Sequence, residues 1–326
     1  MKDAIVHTAC DAPRCASGEA AEVVVRLTYQ PPYDWDHVHD FLATRAIPNV
    51  ERTDEGGYAR TVAAPGGHAS ICVRPIDHEP ALQLRVRGAA STDLLHISAV
   101  ARRVFDLACD PQRVAAALAA DERLAALVRR RPGLRIPGAW DPFECAVRAV
   151  LGQQVSVAAA RTLTARVVAR AGERLDEPLD GLTHVFPTPA ALASVDLDGL
   201  GITSARIAAL RSLARAVQEG LVDFSESVAE FVPKLVALPG FGAWTAQYVA
   251  LRALGDSDAF PAGDLVLRRM AGDGDVLTSR QLEARADAWR PWRGYAAMHL
   301  WREAARLTAE SQVARSNRRR TQQDAD

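Results

Sequence analysis

The sequence predicts an α+β fold: a small N-terminal antiparallel sheet with helices, followed by a mostly α region. Three observations predict it. β-Branched apolar runs separated by Gly/Pro turns crowd the first third of the chain. Helical apolar spacing with N-cap signals dominates the rest. The 326 residues are 48% apolar, enough to bury a large core.

Residues 1–22 show no periodicity and are expected to form a disordered leader. An N-terminal unit then spans 23–110. "EVVVRLTY" reads as a strand entering the turn and helix of "QPPYDWDHVHDFLATRAI", and "YARTVAA", "HASICVRP" and "ALQLRVRG" read as further strands. "STDLLHISAVARRVFDLA" carries Leu95, Ile97, Val100, Val104, Phe105 and Leu107 at helical spacing, with Ser91 or Thr92 as N-cap.

Residues 111–308 are expected to be entirely helical. "DPFECAVRAVLG" begins with Asp141 as N-cap, Pro142 at the first helical position and Glu144 three residues on, an acidic capping box; Gly152 ends it. Gln153 and Gln154 fill a tight turn before Ser156 caps "VAAARTLTARVVARAG". Ser204 starts a helix with Ile207, Leu210, Leu213 and Val217 on one face, stopped by Gly220. Residues 309–326 read as a polar, solvated tail with a short basic cluster.

A formal charge of −1 argues against binding nucleic acid by bulk charge, while leaving room for a local binding face. No apolar run approaches the ~20 residues of a membrane span, and the start lacks a signal peptide. The five cysteines are scattered, so neither a side-chain metal site nor a disulfide framework is expected; the expected setting is cytoplasmic, the expected state a monomer. Only Lys2 and Lys234 are lysines.

The densest motif is "LPGFGAWTAQYVALRALGDSDAFPAGD", Leu238 to Asp264, within a helical hairpin placed at about 229–255. The helix before it contains Pro233, so it starts or kinks there. Gly240 and Gly242 permit a turn tight enough to fold the next helix back. The N–H groups of Gly240, Gly242, Ala243 and Thr245 are then left without helical partners, at the positive end of the helix dipole. An anion could dock on them without lysine or arginine, and Thr245 adds a hydroxyl. Plainer readings stand beside this one. The turn could only connect two packed helices, Trp244 and Tyr248 could be core, and Asp264 could only cap the helix that follows.

This stretch resembles the helix-hairpin-helix, Gly/Pro loop and aspartate of the DNA glycosylase superfamily. "YQPPYDWDHVHDFLATRAI", "RRPGLRIPGAWDPFECAVRAVLGQQVSVAAARTLTARV" and "DAWRPWRGYAAMHLWREA" resemble, in order, segments of the AlkA-type 3-methyladenine DNA glycosylase II family. The similarity runs from about residue 24 to 305.

The resemblance implies a monofunctional DNA glycosylase acting in base excision repair on double-stranded DNA with alkylated, 3-methyladenine-like bases, by flipping the nucleotide out of the duplex. It makes Asp264 the catalytic carboxylate. Phe41, Trp244, Tyr248 and Trp301 become the base pocket, with Leu265 where close relatives place a tyrosine. It puts Gln154 at the wedge, where the family has an apolar leucine, and Gln153 at the minor groove. Lyases of the superfamily keep a lysine at the position of Trp244, so no lyase activity is expected. No cofactor is implied, nor an iron–sulfur cluster; the one ion the resemblance allows is a monovalent cation on hairpin backbone carbonyls. The alternative is a catalytically weak or silent damage-binding protein that keeps the hairpin.

Overall fold

The computed structural model describes residues 5–6, 22–64, 66–88, 93–272 and 274–323. β1 (Ile5–Val6), β2 (Glu22–Thr28), β3 (Glu51–Asp54), β4 (Gly57–Ala64), β5 (Gly67–Pro75) and β6 (Ala81–Arg87) form one antiparallel sheet in the order β1-β2-β6-β5-β4-β3. Alternation along the strands sends one face inward. Val25, Leu27, Ile71, Val73, Leu84 and Val86 share a core with Val38 and Leu42 of α1 (Trp35–Ala43) and Ile97 and Val104 of α2 (Leu94–Val104).

Two details differ from expectation here. Ile5 and Val6 pair with Val25 and Val24, so part of the expected leader joins the sheet; the rest of residues 1–21 lies outside the described residues. Ser91 and Thr92 also lie outside them. The N-cap position of α2 is Asp93, whose carboxylate makes no cap bond and instead accepts the N–H of Gly66 at 3.2 Å.

The rest is mostly helical: α3 (Pro111–Leu118), α4 (Glu122–Arg130), α5 (Pro142–Leu151), α6 (Val157–Ala171), α7 (Pro189–Ser194), α8 (Ser204–Gln218), α9 (Val228–Val236), α10 (Ala243–Val249), α11 (Leu265–Met270), α12 (Ser279–Ala286) and α13 (Arg293–Gln323). Asp141, Ser156 and Asp264 cap α5, α6 and α11 with their side chains. One turn of π-helix, Ala250–Leu254, continues α10 between two helical cores. Val249 and Ala253 face the core of Phe143, Leu210 and Phe231, while Ala250 and Leu251 face that of Leu124, Leu282 and Trp289.

The all-helical expectation for 111–308 fails at one place. β7 (Glu173–Leu179) and β8 (Leu182–Val185) form a two-stranded hairpin. Its loop is Asp180-Gly181, with φ of 52° and 78°, the two positive values that a two-residue loop of this hand requires. Asp180 then accepts bonds from Ser70 Oγ (2.7 Å) and Arg87 Nη1 (2.6 Å), tying the helical part to the sheet.

Two further expectations are corrected. Glu144 does not reach back to its helix start; it is buried, and its carboxylate binds Arg60 Nη2 (2.7 Å) and Arg148 Nη1 (2.8 Å). The polar tail is not a separate segment, because α13 runs on to Gln323.

Candidate active site

The sheet unit, α5, α6, α10, α11 and α13 enclose a cavity of about 700 Å³. It brings together Phe41, Trp244, Tyr248, Asp264 and Trp301, which the sequence scatters over most of the chain.

Asp264 sits at the mouth of α11 because the "FPAGD" loop delivers it there as the N-cap. Its Oδ1 accepts the N–H of Leu267 at 2.9 Å. Two indoles complete its shell: Trp244 Nε1 donates to Oδ2 at 3.0 Å and Trp301 Nε1 to Oδ1 at 3.2 Å. No cation of the protein forms an ion pair with it among the described residues. These donors are neutral, so they orient the carboxylate without pairing it to a cation. Capping and aiming are thus carried by one side chain. The neighbouring Leu265 and Val266 are 46% and 39% exposed.

The aromatic wall follows from helical spacing. Trp244 and Tyr248, four residues apart on α10, stack with centroids 5.4 Å apart and planes 8° from parallel. Trp301 of α13 meets Tyr248 edge-on at 6.4 Å.

Phe41, on α1, is different in kind. Two guanidinium groups lie over its ring, Arg45 at 3.7 Å and Arg252 at 4.3 Å. Arg252 is fixed by the carbonyls of Pro137 and Gly138 (3.0 Å for the latter) and donates to the Tyr248 hydroxyl at 2.8 Å. Burial lowers the Arg45 guanidinium to about 10, which leaves it charged at neutral pH. Sequence reading missed both arginines. The available signal was their spacing, each four residues after an aromatic of the wall.

The pocket also depends on a buried ion cluster. Arg60 binds Glu144, and Arg148 Nη1 binds Glu144 and Glu51 Oε2 (3.1 Å). Tyr58 donates to Glu51 Oε1 at 2.6 Å, and Arg148 Nη2 donates to the carbonyl of Arg45. Burial alone would raise the Glu144 carboxyl; Arg60 and Arg148 outweigh it and hold it below the usual glutamate value. The cluster joins β3 and β4 to α5 and anchors the end of α1.

The hairpin forms as expected, with α9 running through Pro233 from a capping box at Ser227 and Glu230. Of the two turn glycines, Gly240 is the one that requires glycine on backbone grounds. Its φ is 83°, and a Cβ there would lie 2.7 Å from that of Ala209. Gly242 has φ −95° and open space around it. The N–H groups of exposed Gly242 and Ala243 have no acceptor among the described residues. Thr245 is buried, and its hydroxyl accepts the Gln153 amide at 3.1 Å instead of facing outward, contrary to expectation. Gln153 Nε2 also donates to the Gly240 carbonyl at 2.9 Å, so this amide braces the hairpin. Gln154 is exposed, with φ 54°.

Residues 24–141 match the AlkA N-terminal domain family, and residues 147–293 match the HhH-GPD superfamily of base excision DNA repair proteins. The chain is 40% identical over 281 residues to DNA-3-methyladenine glycosylase 2 of Escherichia coli, covering 84% of this chain and 95% of that one. The chain belongs to the AlkA family of DNA glycosylases. Within the family, a Mycobacterium tuberculosis protein named as a probable bifunctional transcriptional activator/DNA repair enzyme AlkA is 39% identical over 290 residues. That match covers 88% of this chain and 58% of the relative, so the chain spans little more than half of its length. Among solved structures, the 3-methyladenine DNA-glycosylase of Archaeoglobus fulgidus has the same fold, with a TM-score of 0.74 at 22% identity over 84% of this chain and 96% of that one.

Proposed function

We propose that the chain is a monofunctional DNA glycosylase that extrudes an alkylated base from duplex DNA and hydrolyses its N-glycosidic bond. One observation carries this reading: Asp264 lies in the wall of a cavity sized for a base, and two indole N–H groups aim its carboxylate. Cleavage develops positive charge on the sugar. An oriented anion in a partly dehydrated cavity stabilises that charge without reorganising during the reaction. Trp244 and Tyr248 offer the extruded base a stacking partner, and extrusion costs least for a damaged, weakly paired nucleotide.

The free N–H groups of Gly242 and Ala243 suit a DNA phosphate, which fits a chain with almost no net charge. Gln154 is exposed on the turn after α5, which suits a side chain that fills the gap in the duplex. The absence of lyase chemistry rests on the lysines: Lys234 is ion-paired with Glu226 and does not line the cavity. Among the described residues no lysine amine lines the cavity to form a Schiff base. The hairpin carbonyls of Leu238 and Gly240 already accept protein N–H groups, and no step is routed through a bound cation.

Base release from methylated duplex DNA by the wild type and Asp264→Asn tests the reading. The variant should lose release by about 100-fold or more while still binding DNA. Full activity in Asp264→Asn would sink the assignment. Borohydride should trap no covalent protein–DNA adduct.

A further inference from the structure

Six arginines and four acids line the cavity, although the chain as a whole carries a charge of −1. Most of these arginines are occupied. Arg302 pairs with Asp40 at 2.9 Å, and Arg60 and Arg148 hold Glu144 and Glu51. Arg45 is bonded to the Phe41 carbonyl, Thr44 and Tyr248, and Arg252 to Pro137, Gly138 and Tyr248. Arg161 differs. Its Nε donates to the Ala46 carbonyl at 2.6 Å, while its two Nη groups have no acceptor and no carboxylate partner among the described residues. The side chain is exposed, so those groups are open to solvent.

Its place decides what they meet. Arg161 follows Val157 by one turn of α6, and both line the cavity. Exposed Val155 and Val157 form the same lip, beside the Gln154 turn. The bond to Ala46 fixes one edge of the guanidinium and leaves a planar fork of N–H donors at the opening.

We propose that Arg161 binds the backbone phosphate of the extruded nucleotide and so favours extrusion over duplex binding in general. This rests on the glycosylase reading of the same cavity and adds a positioning residue to it. A nucleotide that swings into the cavity draws its own phosphate to the lip. That phosphate is an anion whatever charge the base carries, and a guanidinium bonds two of its oxygens in parallel. Gly242 and Ala243 lie outside the cavity lining, so their N–H groups meet any duplex that docks. Arg161 lies within the lining and meets a phosphate only once the nucleotide has turned out.

Equilibrium binding of the full chain to two duplexes tests this. One is undamaged; the other carries a tetrahydrofuran abasic analogue, whose sugar has no base to keep it in the stack. Arg161→Gln and Arg161→Met should lower the preference for the abasic duplex about tenfold. The slope of log affinity against log salt should fall by about one on that duplex alone. Arg161→Lys keeps the charge and should keep the slope. With the wild type, a neutral methylphosphonate at one of the two phosphates flanking the analogue should reproduce the loss. An equal loss on both duplexes or an unchanged slope overturns the proposal, since an arginine that only braces Ala46 releases no counterion. Should the variants fail to fold, full affinity with methylphosphonate at either position overturns it as well. A wild type that neither prefers the abasic duplex nor releases bases from methylated DNA would overturn the glycosylase reading itself.

Discussion

The indole nitrogen of Trp244 lies 3.0 Å from Oδ2 of Asp264, across 20 residues of chain. Trp301 holds the other oxygen of the same carboxylate at 3.2 Å. Two aromatic residues of the wall are therefore also the donors that orient the acid. Trp244→Phe and Trp301→Phe each keep a ring and remove one N–H. Each should reduce base release about ten- to hundredfold. The double variant should lose less than the product of the two, because both act on one group. Multiplicative losses in single-turnover rates would mean that the indoles act on the base independently.

The two hairpin glycines should separate. Gly240→Ala forces a side chain into a left-handed conformation against Ala209 and should destabilise the fold by about 1–3 kcal/mol. Gly242→Ala meets no neighbour in the free protein and should leave its melting temperature nearly unchanged. A loss of DNA affinity in Gly242→Ala without loss of stability would place DNA backbone against that residue. Equal melting temperatures for the two variants would contradict the assigned backbone strain.

Opening the buried ion cluster from one side should be severe. Arg60→Met leaves Glu144 with half its partners, and Glu144→Gln leaves Arg60 only the Glu51 carboxylate 3.6 Å away; each should cost about 3–5 kcal/mol in denaturant unfolding. Replacing both with apolar residues should cost less than the sum. An additive double variant would show that the two side chains do not depend on each other.

Asp106 gives stability a pH dependence of the opposite sign to that of an ordinary carboxylate. Burial raises its carboxyl to about 6, against bonds donated by the Tyr295 hydroxyl (2.7 Å) and the Ile136 N–H (3.1 Å). Its unfolded value is ~3.9, so the folded chain holds the proton more tightly. The resulting stabilisation is complete below about pH 4 and is lost as pH rises through about 6, on the order of 3 kcal/mol. Asp106→Asn keeps an acceptor and tolerates the φ of 51°. It should stabilise the protein at about pH 8 and flatten the slope between about pH 4 and 6. Unfolding curves at both ends of that range decide it; an unchanged slope assigns the titration elsewhere.

The strands of the sheet and the caps at Asp141, Ser156 and Asp264 were legible because alternation and capping are local. The hairpin turn was legible for the same reason. The Asp180-Gly181 loop was equally local, but its "ERLDEPL" strand is too polar to declare itself beside a helix. Glu144 shows the opposite limit. Its spacing fits a capping box, yet tertiary pairing with Arg60, 84 residues away, takes the carboxylate. Thr245 and Gln153 likewise turned to each other, and no pattern within either segment announces a partner 92 residues off. Cavity-lining residues were found through the resemblance where they match its motifs. Arg45 and Arg252 were passed over because an arginine on a helix ordinarily reads as solvated surface.

Asp40 and Arg302 join opposite walls of the cavity across 262 residues of chain. That span has a consequence in time. During synthesis the wall of Asp40 is made 262 residues before that of Arg302, on α13. A ribosome-bound chain that has reached only α11 carries the hairpin and Asp264 but lacks Trp301 and Arg302, and its chamber is open on that side. The hairpin is therefore made before the chamber can close, and synthesis of α13 is the step that completes its wall.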